Sequence, residues 1–239
     1  MKHQYFGDIN DYKKYGLLRS ITSASGLGLL VAWMLTPDDG STDGKFIEYL
    51  GNPNRWERYD SALYRGLVKL LDEVPERNVS LIEDSELLNG CGFFSDYVPD
   101  SKLERKTWFS SLLDASRSSD LVFLDPDNGL EIKSKPYGRK DSSKFLYWRE
   151  VSDLWRSGKS LLIYQHFIRE NREQFIQRML ISLKDIAKSS VVEAFYTPHV
   201  VFLMALQPEH QRFRQSIISA VEGSWEGQIK NRGLNGLDK

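Results

Sequence analysis

Residues 120–131, DLVFLDPDNGLE, hold the pattern that decides the fold. An apolar run of strand length stops abruptly at five polar or turn-forming residues, namely Asp125, Pro126, Asp127, Asn128 and Gly129. A continuously apolar run of this length predicts a strand that is buried on both faces. The cluster behind it predicts that the carboxyl end of the strand either turns the chain or presents polar groups to a ligand.

Other segments extend this pattern in both directions. Apolar runs at residues 29–35 and 160–167 predict further buried strands, residues 78–84 and 91–98 predict short ones, and residues 191–206 predict two strands with a turn at Pro198. Segments with helical spacing of apolar residues separate them. We therefore expect an α/β fold with a mostly parallel sheet, helices on both faces and a C-terminal antiparallel hairpin.

We expect one α/β domain over residues 1–239, in which residues 1–25 form an N-terminal helical element. No repeat or linker-like composition divides the chain. The single cysteine, Cys91, excludes an intrachain disulfide and a multi-thiolate zinc site.

The composition restricts the partners. The polar first residues and the lack of a long apolar run predict a cytoplasmic protein with no membrane partner. The net charge of −1 indicates that any RNA or DNA is held in a confined groove and not by a general basic coat. The basic loop residues after the DPDNG turn are candidate contacts. The sequence does not indicate the oligomeric state.

In parallel sheets, ligands bind beyond the carboxyl ends of the strands. This rule predicts that polar residues from four strand ends meet, although they are far apart in the chain. They are Asp38, Asp39, Glu83, Asp84, Asp125, Pro126, Asp127, Asn128, Gln165 and His166. Each group alone has a structural alternative: DPDNG can simply end a strand, and a lone histidine is often a hydrogen-bonded structural residue. The presence of polar groups at all four strand ends is what indicates a ligand site.

Taken in order, these segments resemble the bacterial adenine-N6 methyltransferases that modify large-subunit ribosomal RNA, and the broader class of Rossmann-like methyltransferases that use S-adenosylmethionine. The resemblance implies that the sheet is Rossmann-like and methyltransferase-like. The opening YFGDINDYKKYGLL is similar to the N-terminal element of that family, with Gly7, Asp11, Lys14 and Leu18 at matching spacing. The segment DLVFLDPDNGLE occupies the place of the catalytic strand. The chain departs from the family in LTPDDGSTDG, which replaces a glycine-rich loop, and in Asp127 and Asn128, which replace a proline and an aromatic residue.

The resemblance implies transfer of a methyl group from S-adenosylmethionine to a base amine of RNA or DNA. It places the cofactor at Asp38, Asp39, Glu83 and Asp84, and the catalytic turn at Asp125, Pro126, Asp127 and Asn128. Asp125 would accept a hydrogen bond from the target amine, and Asn128 would stand in for the last position of the tetrad. On the substrate side the implied residues are Asp11, Lys14, Gln165 and His166.

Two alternatives remain open. In the first, Asp38, Asp125 and Asp127, with His166 nearby, hold Mg²⁺ or Mn²⁺ in a metal-dependent nuclease or phosphoesterase. In the second, the chain is a non-catalytic binding module that keeps a methyltransferase-like fold without its chemistry.

Overall fold

The computed structural model describes residues 1–40, 44, 46–73 and 76–234. The helices are α1 (Ile9–Ser25), α2 (Pro53–Trp56), α3 (Ser61–Glu73), α4 (Ser80–Glu83), α5 (Lys102–Ala115), α6 (Trp148–Arg156), α7 (Arg172–Ile186) and α8 (Arg214–Ser224). The strands are β1 (Leu29–Ala32), β2 (Gly92–Phe94), β3 (Leu121–Leu124), β4 (Ser160–His166), β5 (Val191–Tyr196), β6 (Val200–Leu206) and β7 (Lys230–Gly233).

The seven strands form one mixed sheet in the order β2-β1-β3-β4-β6-β5-β7. The first four in this order are parallel, and β6, β5 and β7 join by antiparallel pairing. The expected α/β class and the C-terminal hairpin of β5 and β6 are confirmed, whereas the expectation of a mostly parallel sheet is matched only in part. The hairpin places β6, and not β5, next to β4.

Apolar layers cover both faces of the sheet. One layer contains side chains of α1, α3 and α8, and the other contains side chains of α5, α6 and α7. Alternate residues of β1 face the two layers, with Val31 in the first and Ala32 in the second. This arrangement explains why the parallel strands are continuously apolar, because neither face of the sheet meets water.

Two segments differ from the sequence-based expectation. Residues 78–84 were expected to form a strand, but the structure has the helix α4, whose entry turn is fixed by the Asn78 side chain accepting a hydrogen bond from the Ser80 backbone N–H at 2.9 Å. The strand β7 was not expected, because its sequence KNRG is polar. It pairs with β5 at the edge of the sheet, where polar side chains are compatible with a strand.

The topology brings several strand ends to one level. Ala32 of β1 lies opposite both Phe94 of β2 and Leu124 of β3, and Leu124 lies opposite Ile163 of β4. The direction of strand order reverses at β1, because β2 lies on one side of it and β3 on the other. Such a switch point leaves a crevice at the carboxyl edge of the sheet. Across the described ranges, no helix is long and apolar enough to cross a membrane.

Candidate functional site

A cavity of about 550 Å³ opens at the carboxyl ends of β3 and β4. We call it the strand-end pocket. Its polar lining comes from the turn after β3, from the first turns of α1 and from the end of β4, and it includes Asp11, Lys14, Asp127, Tyr164 and His166. Its outer wall includes three exposed apolar side chains, Phe46, Ile132 and Ile168. The volume is in the range of small-molecule sites.

The floor of the pocket contains a buried cluster of charges. The Lys14 ammonium donates to Asp11 Oδ1 at 2.6 Å and to Asp125 Oδ2 at 2.7 Å, and all three side chains are at most 3% exposed. Tyr15 donates its hydroxyl to the other oxygen of Asp11 at 3.0 Å. Burial alone would lower the pKa of Lys14, but Asp11 and Asp125 outweigh it and raise that pKa, so the ammonium stays charged.

The first turn of α1 fixes the position of Lys14. Asp8 caps the helix by accepting from the backbone N–H groups of Asn10 and Asp11, and Gly7 adopts a left-handed φ of 77° to enter the turn. The backbone N–H of Gly7 also donates to Asp11 Oδ2 at 3.1 Å. Burial, and then the nearby Asp11, raise the pKa of Asp8 to about 7.

The turn after β3 is held against β4. Gln165 accepts a hydrogen bond from the Leu130 backbone N–H at 2.6 Å and donates to the His166 carbonyl at 2.7 Å. Gly129 has a φ of 86°, and a Cβ there would lie 2.4 Å from Gln165 Oε1. The turn therefore requires glycine at residue 129, and Gln165 fixes the turn through its backbone.

The side chain of Asp127 is buried with an unused acceptor. Its Oδ2 lies 3.3 Å from the Lys2 ammonium, and the side chain is 2% exposed. Its Oδ1 is buried and has no hydrogen-bond partner among the residues that the structure describes. The Oδ1 atom of Asn10, another residue of the pocket lining, is in the same state. Buried acceptors without partners are rare and destabilising, so these two oxygens are candidate acceptors for a ligand or for water.

Two ring side chains of β4 face the same pocket. Tyr164 and His166 contact each other edge to face with centroids 5.0 Å apart, and the Lys14 ammonium lies 5.0 Å from the Tyr164 ring centroid. Burial raises the pKa of Tyr164 well above its usual value, so its hydroxyl keeps its proton. Desolvation in the pocket lowers the pKa of His166, which favours the neutral imidazole, although the residue as a whole is exposed to solvent.

Residues 1–5, which we call the strap, lie along the carboxyl end of β1. The Met1 backbone nitrogen donates to the carbonyls of Asp125 and Met34 at 3.0 and 3.3 Å, and the Met1 carbonyl accepts from Thr36 N–H at 2.9 Å. The expected cofactor residues Asp38 and Asp39 contact the strap. Asp38 accepts from the backbone N–H of Gln4 at 3.2 Å, and Asp39 pairs with Lys2 at 2.8 Å.

The other expected cofactor residues lie near the ends of β1 and β2. Glu83 accepts from the Trp33 indole N–H at 2.6 Å and also accepts a hydrogen bond from the Ser95 hydroxyl. Asp84 is exposed directly after α4. Sequence reasoning did not select the exposed Asp96, which lies two residues after the end of β2, although the apolar GFF run before it is a short strand signal.

The structure thus brings most of the expected residues into two adjoining regions. Asp11, Lys14, Asp125, Pro126, Asp127, Asn128 and His166 line the strand-end pocket. Asp38, Asp39 and Glu83 lie on the β1 side. Nothing in the sequence signals the roles of Lys2 and Tyr164, because a short N-terminal segment and a residue inside an apolar strand carry no motif. Asn10 lies within the YFGDINDYKKYGLL motif but was not selected. Over the described ranges, no group of three or more His, Cys, Asp or Glu side chains is arranged to hold a metal ion.

No family model and no curated protein matches this chain. A solved structure, protein LPL1258 from Legionella pneumophila str. Philadelphia 1, described by the family-model name DUF519, is similar at 12% sequence identity with a TM-score of 0.45. The similarity covers 95% of this chain and 96% of that chain. A likeness at this level assigns neither a family nor a function to the present chain.

Proposed function

We propose that this chain is a methyltransferase-like protein of nucleic acids, whose strand-end pocket binds a nucleobase by its exocyclic amine. The observation that supports it best is the buried, unpartnered Oδ1 of Asp127 in the pocket lining. A carboxylate oxygen can only accept hydrogen bonds, so its ligand must present an N–H or O–H group. Leaving this acceptor without a hydrogen bond costs about 1–3 kcal/mol of free energy, and a bound amine would recover that free energy by donating to it.

The rest of the lining suits a planar heterocycle. Phe46 and Phe145 supply aromatic surface, and Ile132 and Ile168 supply aliphatic surface. The Tyr164 hydroxyl can donate to a ring nitrogen or carbonyl, while Asp127 accepts from an amine. A nucleobase offers both kinds of group on one edge of a flat ring, and bases removed from a helical stack are bound between apolar or aromatic side chains.

Basic residues adjoin two apolar residues of the pocket wall. Lys133 follows Ile132 and Arg169 follows Ile168, and both of these basic residues are exposed. They lie where they could contact phosphates on either side of a bound base. This placement supports RNA or DNA, and not a free base, as the partner, despite the overall net charge of −1.

The pairing of the carboxylates favours an amine ligand over the metal alternative. Asp125 already binds the Lys14 ammonium, and Asp127 and Asp39 share the Lys2 ammonium. A Mg²⁺ or Mn²⁺ ion prefers several oxygen ligands and would have to displace these ammonium groups. A neutral amine needs only the free Oδ1 of Asp127 and leaves every ion pair in place.

The methyl-transfer part of the proposal rests on the resemblance of the ordered segments and on the position of the pocket beside the switch point. S-adenosylmethionine would supply the methyl group. The residues at its expected place do not fit it in this arrangement, because the strap fills the end of β1 and engages Asp38 and Asp39. We therefore assign no chemical step that involves the cofactor.

Calorimetric titration with matched nucleosides tests the binding part. Cytidine and adenosine carry an exocyclic amine beside an unprotonated ring nitrogen, where uridine and inosine carry a carbonyl beside a ring N–H, so each pair exchanges the donor and the acceptor that would face Asp127 and Tyr164. We expect the amine-bearing member of each pair to bind at least about tenfold more tightly, equivalent to about 1.4 kcal/mol. Equal binding within both pairs would contradict the proposal. Incorporation of labelled methyl groups into RNA or DNA tests the reaction separately.

A further inference from the structure

We infer that Lys13 and Arg55 form a phosphate-binding subsite beside the strand-end pocket, and that this subsite holds a phosphate ester next to the bound base. The inference deepens the proposed function and rests on it for the base. The subsite itself is tested with inorganic phosphate, which needs no base, so the two proposals can fail separately.

Lys13 is a buried cation without a counter-charge. The residue is 7% exposed, and its ammonium makes no hydrogen bond or ion pair to any residue that the structure describes. Burial lowers the pKa of Lys13, Arg55 lowers it further, and no carboxylate of the described ranges raises it. A buried charge without a partner costs stability, so Lys13 is a candidate for pairing with an anionic ligand.

The Lys13 ammonium is accessible to a small anion. Its nitrogen is not among the fully buried, unpartnered side-chain atoms of the described residues, so part of it reaches solvent. The aliphatic stem is therefore the part that burial covers, and the ammonium lies 5.4 Å from the Trp56 ring centroid. An anion can reach this charge without any rearrangement of the core.

Arg55 supplies a second cation beside the same ring. Its guanidinium lies 5.1 Å from the Trp56 ring centroid, and the exposed side chain makes no ion pair within the described part of the chain. Two like charges near one ring repel each other, and an anion that contacts both relieves this repulsion. A guanidinium fork binds two oxygens of a phosphate, and an ammonium adds a point charge, so the pair suits a phosphate ester.

The helix α1 places Lys13 next to the strand-end pocket. Lys13 lies three residues after Asn10, which lines the pocket, so the two side chains are neighbours on one face of the helix. One helical turn, about 5.4 Å, is comparable to the distance from a base to the phosphate of its own nucleotide. The subsite therefore lies within reach of a base in the pocket.

The segment that carries Arg55 continues the pocket wall along the same helix. The carbonyl of Phe46, a residue of the wall, accepts from the Ile9 backbone N–H at 3.0 Å. The Trp56 carbonyl accepts from the Tyr12 hydroxyl at 2.8 Å. These two contacts lie one turn apart on α1, so the wall runs from the pocket at Phe46 to the cations at Trp56.

Three unsatisfied groups then match three parts of one nucleotide. Asp127 Oδ1 can accept from the base amine, Asn10 Oδ1 can accept from a sugar hydroxyl, and Lys13 can pair with the phosphate. A nucleotide satisfies all three groups at once, whereas a free base satisfies only the first. The phosphate should therefore add affinity beyond that of the nucleoside.

The first test compares cytidine with cytidine 5′-monophosphate and cytidine 3′-monophosphate by calorimetry at constant ionic strength. We expect the wild type to bind one of the two monophosphates at least about tenfold more tightly than cytidine. Lys13→Met keeps the length of the side chain and removes its charge, so it should lower this preference to below about threefold. Lys69→Met, on an exposed lysine of α3, is the matched control and should keep the preference.

The second test uses inorganic phosphate. Replacing chloride by phosphate at constant ionic strength should slow acylation of the Lys13 amine relative to the exposed Lys69, as measured by mass spectrometry. It should also raise the Tm of the wild type more than that of Lys13→Met. Without phosphate, Lys13→Met should be at least as stable to urea as the wild type, because it removes an unpaired buried charge. A clear loss of stability would make Lys13 a structural residue and overturn the inference.

The remaining outcomes separate the two proposals. Equal affinity of the wild type for cytidine and both monophosphates would overturn the subsite, as would a preference that survives Lys13→Met or falls equally in Lys69→Met. If neither cytidine nor its monophosphates bind, the proposed base recognition fails. Protection of Lys13 by inorganic phosphate then sustains the subsite, and unchanged acylation rules it out.

Discussion

The ammonium of Lys14 joins Asp11, three residues before it on the same helix, to Asp125, which lies 111 residues further along the chain at the end of β3. This buried cluster fixes α1 above the strand-end pocket and fills the floor between the two carboxylates. Its position explains why the opening GDINDYKK segment and the DPDNG turn belong to one site.

Removal of the Lys14 charge should be strongly destabilising. Lys14→Met would leave Asp11 and Asp125 buried without a cation, which typically costs about 3–5 kcal/mol of unfolding free energy. Urea denaturation measures this loss. A triple variant that also carries Asp11→Asn and Asp125→Asn should recover much of it, because no buried charge is left unpaired. If the triple variant is as unstable as Lys14→Met, the loss comes from packing and not from charge.

Asp8 should make the stability depend on pH. Its pKa is raised from 3.8 to about 7 in the folded chain, so between about pH 4 and pH 7 the folded state binds more protons than the unfolded state. The free energy of unfolding should therefore fall as the pH rises through this window and then level off above about pH 7. The contribution of Asp8 to this fall is at most about 4 kcal/mol.

The variant Asp8→Asn keeps the capping oxygen but cannot ionise, so it should reduce the fall. Urea unfolding midpoints of the wild type and the variant are compared between pH 4 and pH 8. Asp72→Asn, at an exposed residue of α3, is the matched control. A pH profile for Asp8→Asn that coincides with the wild-type profile would show that the Asp8 carboxyl is not responsible.

Gly129 should be intolerant of a side chain. Gly129→Ala introduces a positive φ at a non-glycine residue and a Cβ 2.4 Å from Gln165 Oε1. We expect a loss of at least about 1 kcal/mol in unfolding free energy from the backbone alone, together with weaker cytidine binding because the turn carrying Asp127 shifts. Gly158→Ala, also at a positive φ but with open space around its Cβ, controls for the backbone effect. Equal losses of unfolding free energy in Gly129→Ala and Gly158→Ala would show that the close approach of residue 129 to Gln165 does not contribute.

The buried ion pair of Arg105 and Glu150, which contacts the Phe145 carbonyl behind the pocket wall, should contribute to stability. Its guanidinium pairs with Glu150 at 2.8 Å and donates to the Phe145 carbonyl at 2.8 Å, while both charged side chains are at most 2% exposed. Glu150→Gln should destabilise the chain by about 3–5 kcal/mol, because the buried arginine loses its counter-charge. Thermal and urea unfolding measure this. A double variant Arg105→Met, Glu150→Met should be less destabilised than the single variant; the reverse order would contradict a charge effect.

The buried strands were predictable from sequence because each is continuously apolar over its short length. The runs around Val31, Phe123 and Ile163 show this most clearly. The sheet class followed from their alternation with helices. The order of β5 and β6 and the presence of β7 were not predictable in the same way, because pairing partners depend on contacts between distant segments and KNRG has no apolar pattern.

The location of the site was predictable from the sequence, but most of its contacts were not. The rule for strand ends predicted that Asp125, Asp127 and His166 lie close together, and all three line the pocket, which Lys14 reaches from α1. Glu83 reached the same edge of the sheet from a helix and not from the expected strand. The strap was beyond sequence reasoning, since nothing in MKHQY indicates that Lys2 joins Asp39 to Asp127.

The most direct test of the central claim is the preference for cytidine over uridine, measured by calorimetry on the wild-type chain and on Asp127→Asn. An asparagine at this position can turn its amide nitrogen toward the ligand and donate to a carbonyl. The wild type should prefer cytidine by at least about tenfold, and the variant should lose that preference or reverse it. An unchanged preference in Asp127→Asn would show that Asp127 does not recognise the amine and would contradict the account.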